Sequence, residues 1–345
     1  MTNKDLQQLY SEHTEKLSDK WSIYPAEYDH LFGPYRDRPV NLLEIGIQSG
    51  SSLESWSKFF ANAAWIVGCD INPDCKKLQY ADARIRVVVG DANTDDIERD
   101  IRHFASDFDI VIDDGSHRSS DIIKSFARYF PHVTDGGIFV AEDLHCSYWS
   151  EYEEGLFHPL SSIAFFKRLV DVISHEHWGI PKARSEVLCK FFSEYACSMD
   201  EQVLAEIYSI EFINSICVIR KKPAVHNQLG RRSITHGTAE VWPVVLQLND
   251  TLMAAPIQVV NDWSQSEMLP EKVLMEQRQE IASLHAEGRR QQQQAAALNE
   301  TIRLMTNSRS WRFRDRCDGW CSSSSCANRV RQPAPRSWPE RCSKR

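Results

Sequence analysis

Asn41-Leu42-Leu43-Glu44-Ile45-Gly46-Ile47-Gln48-Ser49-Gly50-Ser51-Ser52 is the stretch on which the reading of this chain turns. A short apolar run ends in an acid, and two glycines and two hydroxyl residues follow before a helical pattern opens. Glycines at such a place let a ligand approach the backbone, and the first turn of the helix offers unpaired N–H groups to an anionic group. A dinucleotide fingerprint would require G-x-G-x-x-G, but Gln48 and Ser51 stand where its second and third glycines belong. An NAD-dependent oxidoreductase thereby loses its main support.

Outward from this stretch, β-branched runs alternate with helical patterns, as they do in a parallel sheet covered by helices. Strands are expected at 40–45, 65–70, 85–89, 109–112 and 137–141. The run IYSIEFINSICVI, residues 207–219, is broken at Asn214 and Ser215, which predicts two strands joined by a tight turn at the sheet edge. The fold class is therefore α/β, a doubly wound Rossmann-like sheet over residues 1–222. Residues 223–263 are weakly periodic and read as a linker. From Leu274 a heptad places Leu274, Ile281, Gly288, Ala295 and Ile302 at a, and Gln277, Leu284, Gln291, Leu298 and Met305 at d. A coiled-coil-like helical segment is expected over 264–306, then a disordered tail over 307–345.

The 345 residues carry a formal net charge of −8, and the apolar runs fall far short of a bilayer span. With a polar, acidic start that does not resemble a signal peptide, the expectation is a cytoplasmic protein with no membrane span. Charge is unevenly placed: residues 301–345 hold eleven Lys and Arg against three Asp and Glu, leaving 29 against 45 in residues 1–300. An acidic body argues against a nucleic-acid partner. Six of the ten cysteines are dispersed through the body and are expected to be reduced and mostly buried. Cys317, Cys321, Cys326 and Cys342 crowd the tail, without the paired spacing or the histidines of a zinc site.

The pattern Glu44-x-Gly46-x-x-x-Gly50 resembles motif I of class I S-adenosylmethionine-dependent methyltransferases, and the neighbouring strand ends continue the likeness. Asp70 ends strand two, where that family puts an acid on the ribose hydroxyls; Asp91 follows strand three, where a polar residue meets the adenine amine. The resemblance thus implies S-adenosyl-L-methionine held by Glu44, Gly46, Gly50, Ser51, Asp70 and Asp91. Each feature alone is also what an ordinary turn or solvated loop produces. Three in order at consecutive strand ends carry the reading.

Strand four runs into Asp113-Asp114-Gly115-Ser116-His117, and strand five into Glu142-Asp143-Leu144-His145-Cys146-Ser147-Tyr148-Trp149. The C-terminal strand ends of an open α/β sheet line its ligand crevice, so these acidic loops should be neighbours. Three converging carboxylates repel one another, and a hard divalent cation such as Mg2+ is the simplest resolution. Turn and helix-cap roles are the ordinary alternative for these acids, and a solvated helix start for His117.

Together, IDDGSH and EDLxxSYW resemble the metal-dependent sugar O-methyltransferases of macrolide biosynthesis, of the macrocin and mycinamicin type, and the related cephalosporin-hydroxylase-like proteins. The likeness covers roughly residues 15–222 and includes Asp19-Lys20-Trp21, Tyr24 and Tyr28. It implies that Asp114, Glu142 and Asp143 bind the metal and that His117 is the general base, with His145 as an alternative. Cys146 departs from the threonine usual in relatives and is expected to act on packing. Tyr148 and Trp149 are candidates for stacking on a sugar face.

The segment Asn307-Ser308-Arg309-Ser310-Trp311-Arg312 resembles a short ending found in bacterial enzymes that build cell-surface polysaccharides. It favours a surface-glycan acceptor, with a glycosylated small metabolite as the alternative. A non-catalytic scaffold of a glycan-assembly complex is a further alternative. Homo-oligomers or glycan-assembly partners would engage through 264–306. Residues after about 312 are expected to have no catalytic role.

Overall fold

The computed structural model describes residues 4–12, 15–152, 154–265 and 270–307. Two short helices, α1 (Leu6–Ser11) and α2 (Tyr24–Phe32), precede β1 (Asn41–Ile45), α3 (Ser51–Phe59), β2 (Trp65–Asp70), β3 (Ile85–Val89) and α4 (Asp95–Arg102). Then come β4 (Phe108–Asp113), α5 (Ser119–Tyr129), β5 (Val133–Ala141), α6 (Ser162–Ile173), α7 (Cys189–Tyr195) and α8 (Glu201–Ala205). The hairpin β6 (Ile207–Ile213) and β7 (Ile216–Lys221) closes the sheet. Strand order is β3-β2-β1-β4-β5-β7-β6, with β1 to β5 parallel and β7 antiparallel to both its neighbours. This is the expected doubly wound α/β sheet, with the hairpin turn at Asn214 and Ser215 where the sequence breaks.

Alternate residues of the inner strands point to opposite faces, and each face is apolar because helices cover both. Leu43, Val67, Val111 and Phe139 pack with α5 and α6, around Phe126, Phe165 and Phe166. Leu42, Ile66, Ile110 and Ile138 pack on the other side with α1, α2 and α3, around Tyr28, Phe32 and Trp56. Local rules agree with this packing. Helix α4 has Asp95, Asp96 and Glu98 in its first turn and Arg99 and Arg102 in its last, matching its dipole. Ser161 caps α6 by accepting from the Ala164 N–H at 3.1 Å.

Two strands are longer than expected, β4 by one residue at each end and β5 by four at its start. Strand β5 starts at Val133, four residues before the expected 137, because Thr134 to Gly136 form an irregularity against β4 with Gly136 at φ 80°. Asp135-Gly136 reads locally as a turn, and it is a bulge.

All six body cysteines are free; Cys69, Cys75, Cys146 and Cys217 are buried, whereas Cys189 is exposed. Residues 223–263 hold short 3-10 turns and an isolated bridge between Arg231 and Leu252, with Val241 and Val260 open to solvent. After a short helix, α9 (Asp262–Gln265), the helix α10 (Pro270–Asn307) belongs to a second compact unit. It runs unbroken through Gly288, and Ile281, Leu284, Leu298, Ile302 and Met305 of the heptad seam are exposed. The segment from Ser308, with the SRSWR stretch and its four cysteines, lies outside the described residues. Among the described residues no helix is long and apolar enough to cross a membrane.

Candidate functional site

The loop after β1 is shaped by its glycines. Gly46 has φ 87°, and a Cβ there would come within 2.0 Å of the Asp114 carbonyl oxygen, so any side chain would push apart the ends of β1 and β4. Gly50 has φ 74° and precedes α3, where a Cβ would meet the Tyr80 hydroxyl at 2.0 Å. Between them Gln48 is also left-handed, at φ 44°, and its N–H donates to Asp70 Oδ2 at 2.8 Å. The other Asp70 oxygen accepts from the Asn72 N–H at 2.8 Å. Asp70 therefore ties two loops together and keeps lone pairs for a ligand.

A cleft of about 390 Å3 runs from this loop to the ends of β4 and β5. Gly46, Ser51 and Asp70 line its inner part, and Asp114, His117, Glu142 and Asp143 its outer part. A second recess of about 220 Å3 holds Asp91 and again Asp70. Two expected cofactor residues are not on the walls of either. Gly50 acts through the loop's shape, and Glu44 is fully buried below α3, accepting from Ser52 Oγ at 2.7 Å and Trp56 Nε1 at 3.0 Å. Burial pushes the Glu44 carboxyl up to about 7, opposed by the Lys20 charge.

Strand pairing brings the outer acids together: the Asp114 N–H donates to the Ile45 carbonyl and the Glu142 N–H to the Asp113 carbonyl. Burial raises Asp114 to about 7 against the lowering effect of Lys20. Burial, then the Asp114 charge, does the same to Glu142. Asp143 adopts φ 53° and accepts from Tyr24 Oη at 2.6 Å and Trp21 Nε1 at 3.1 Å. His117 adopts φ 57°, with Nε2 3.8 Å from Asp143 Oδ2. Burial pushes the His117 imidazole below its usual 6.5, so it is neutral near pH 7.

Asp114, His117 and Asp143 each present a ligand atom, all within 4.8 Å of one another. Glu142 faces the same point through Lys20, whose ammonium lies 2.5 Å from Asp114 Oδ2 and 2.7 and 2.9 Å from the Glu142 oxygens. Tyr28 also donates to Glu142. Two carboxylates, Asp114 and Glu142, share one ammonium and are driven toward protonation by burial, and Asp143 brings a third within 4.8 Å of Asp114. The donor set therefore fits a further hard cation.

Lys20, Trp21, Tyr24 and Tyr28 contact the predicted site acids, and local reading of the sequence left them without roles. Spacing was a usable signal only for the tyrosines, since Tyr24 and Tyr28 stand four residues apart on one face of α2 whereas Lys20 precedes the helix. Tyr148 and Trp149 are 43% and 47% exposed and lie outside the cleft wall. His145 packs between Trp21 and Trp149, at centroid distances of 5.5 and 4.7 Å, and its Nδ1 lies 2.5 Å from Ser215 Oγ. It is placed as part of the aromatic rim, away from the cleft wall. Cys146 is buried beneath that rim.

The family model described as a methyltransferase domain matches residues 43–144, from β1 to the loop after β5. The 8-demethyl-8-alpha-L-rhamnosyl tetracenomycin-C 2'-O-methyltransferase of Streptomyces olivaceus is 36% identical over 171 residues, covering 47% of this chain and 44% of that protein. The demethylmacrocin O-methyltransferase of Streptomyces fradiae is 36% identical over 195 residues, covering 52% of this chain and 47% of that protein. A solved structure of MycE methyltransferase from the mycinamycin biosynthetic pathway, in complex with Mg, SAH and mycinamycin VI, is similar with a TM-score of 0.54 and 27% identity. That match covers 71% of this chain and 59% of that one. The chain spans just under half the length of the two curated relatives.

Proposed function

We propose that this chain, whose residues 43–144 match a methyltransferase domain, transfers a methyl group from S-adenosylmethionine to a sugar hydroxyl of a glycosylated small metabolite. The observation that carries the reading is the placement of Asp114, His117 and Asp143 within 4.8 Å of one another at the outer end of the cleft that reaches back to Gly46 and Asp70. S-adenosylmethionine supplies a methyl group already activated on a sulfonium. Gly46 admits it to the backbone, Asp70 accepts from the ribose hydroxyls and Asp91 lines the recess for the adenine. A divalent cation held by Asp114, Glu142 and Asp143 supplies the Lewis acidity that makes a sugar hydroxyl easier to ionise.

His117 takes the hydroxyl proton at Nε2, the nitrogen facing Asp143, as the oxygen attacks the methyl carbon and the sulfonium leaves as a neutral thioether. The carboxylate of Asp143 then stabilises the imidazolium where it forms. Trp21, Tyr148 and Trp149 offer exposed rings for the apolar face of the sugar. The relatives' names carry a rhamnosyl tetracenomycin and a demethylmacrocin, which supports a glycosylated metabolite over the surface glycan suggested by the SRSWR stretch.

Methyl transfer measured on a panel of glycosylated metabolites, nucleotide sugars and surface-glycan fragments tests the acceptor. Transfer confined to the surface-glycan fragments would reverse the choice. EDTA should abolish turnover and magnesium restore it; activity undiminished by EDTA would remove the cation from the scheme. His117→Ala should lower kcat by about 10^2 to 10^4 while S-adenosylhomocysteine affinity stays within about twofold. Turnover near the parent's would place the base elsewhere.

A further inference from the structure

Lys20 has a side chain only 8% exposed, and its ammonium contacts both Asp114 and Glu142. These are two of the three carboxylates to which the proposed function assigns the divalent cation, so any role of Lys20 in cation loading rests on that assignment. The two cations compete for the same oxygens. Magnesium demands near-octahedral oxygen ligation at about 2.0–2.1 Å, and an ammonium already seated on those oxygens blocks that approach and repels the incoming charge.

No helix or strand fixes the backbone at Lys20. It stands in residues 17–21, which have no regular secondary structure, between Leu17 at 74% and Trp21 at 56% exposure. A four-carbon stem carries the charge. The neighbouring Trp21 holds the third carboxylate, Asp143, through Nε1 and packs its ring on His145. One short stretch thus engages every proposed metal ligand and the aromatic rim together.

We propose that Lys20 is an internal stand-in for the divalent cation: its ammonium neutralises the Asp114–Glu142 pair until the ion arrives, and the ion displaces it, lifting residues 17–21 from the crevice. Loading the metal then also moves Trp21 and opens the acceptor side. Cation binding and acceptor access become a single event.

The test uses the full chain, with magnesium chloride alone as the probe. Amine acetylation read by peptide mass spectrometry should find Lys20 protected without magnesium and several-fold more reactive at saturating magnesium, with the exposed Lys77 as an unchanged reference. In calorimetry Lys20→Met should bind magnesium about tenfold or more tightly than the parent, as expected when a site is filled mostly by its own ammonium. Lys20 remaining protected while magnesium binds overturns the displacement, whatever the variant does, and so does a variant with unchanged or weaker affinity. Should neither protein bind magnesium, the cation assignment falls and this proposal with it. Binding without exposure of Lys20 removes the stand-in role alone.

Discussion

Two non-glycine residues at the site, His117 and Asp143, are held at φ 57° and 53°. Such conformations are costly and persist where the surroundings dictate them. Here they point the imidazole and a carboxylate at each other from adjacent strand ends. Burial favours the neutral imidazole of His117, so the base remains competent below pH 6.5. We expect the acidic limb of kcat/KM to have its midpoint below 6.5; a limb above that value would assign it to another group. Glu44 provides a separate test on stability. Its folded-state value of about 7 exceeds the ordinary 4.5, so the stabilisation it contributes is complete below about 4.5 and is lost as pH rises to about 7. Glu44→Gln keeps an acceptor for Ser52 and Trp56 but does not titrate. Urea unfolding should show a smaller loss over that window in the variant, by up to about 3 kcal/mol.

At the scale of elements, the loop between β1 and α3 is the tightest junction in the site. Gly46→Ala would place a methyl against the Asp114 carbonyl and force alanine into a positive φ. We expect a loss of at least about 1–3 kcal/mol from the backbone alone, with weakened S-adenosylhomocysteine binding; an unchanged melting temperature would contradict the tight packing. Much at this scale was legible beforehand. Strands β2 and β3 have the expected bounds because their β-branched runs are flanked by turn residues on both sides. The first half of β5 was hidden because Asp135-Gly136 carries the chemistry of a turn while the sheet absorbs it as a bulge. The acids at the strand ends could be read from strand order. Their cover could not: Lys20 meets Glu142 across 122 residues, and no local pattern records such a pairing. Burial of Glu44 beneath α3 was likewise invisible, because a strand-end acid looks the same in sequence whether it faces a ligand or a tryptophan.

Across the whole molecule, two compact units divide the chain, and the first contains the sheet with its cores on both faces. A chain ending at residue 265 should therefore keep the first unit's secondary structure, losing only the helical signal of α10, and the parent's S-adenosylhomocysteine affinity. Circular dichroism and calorimetry would check this, and loss of the folded signal would show that α10 is needed for the first unit. The hairpin of β6 and β7 has a further consequence for how the molecule is made. Its turn residue Ser215 accepts from the Leu144 N–H and touches His145, fastening the acidic loop after β5. Lys20 leaves the ribosome long before its partners, and β7 inserts beside β5 only after residue 221 has emerged. The crevice is thus assembled by the latest strand of the sheet closing over contacts made by one of its earliest segments. A nascent chain paused before β6 would carry every proposed ligand and an unpaired β5 edge, open to mispairing at the moment the site is nearest completion.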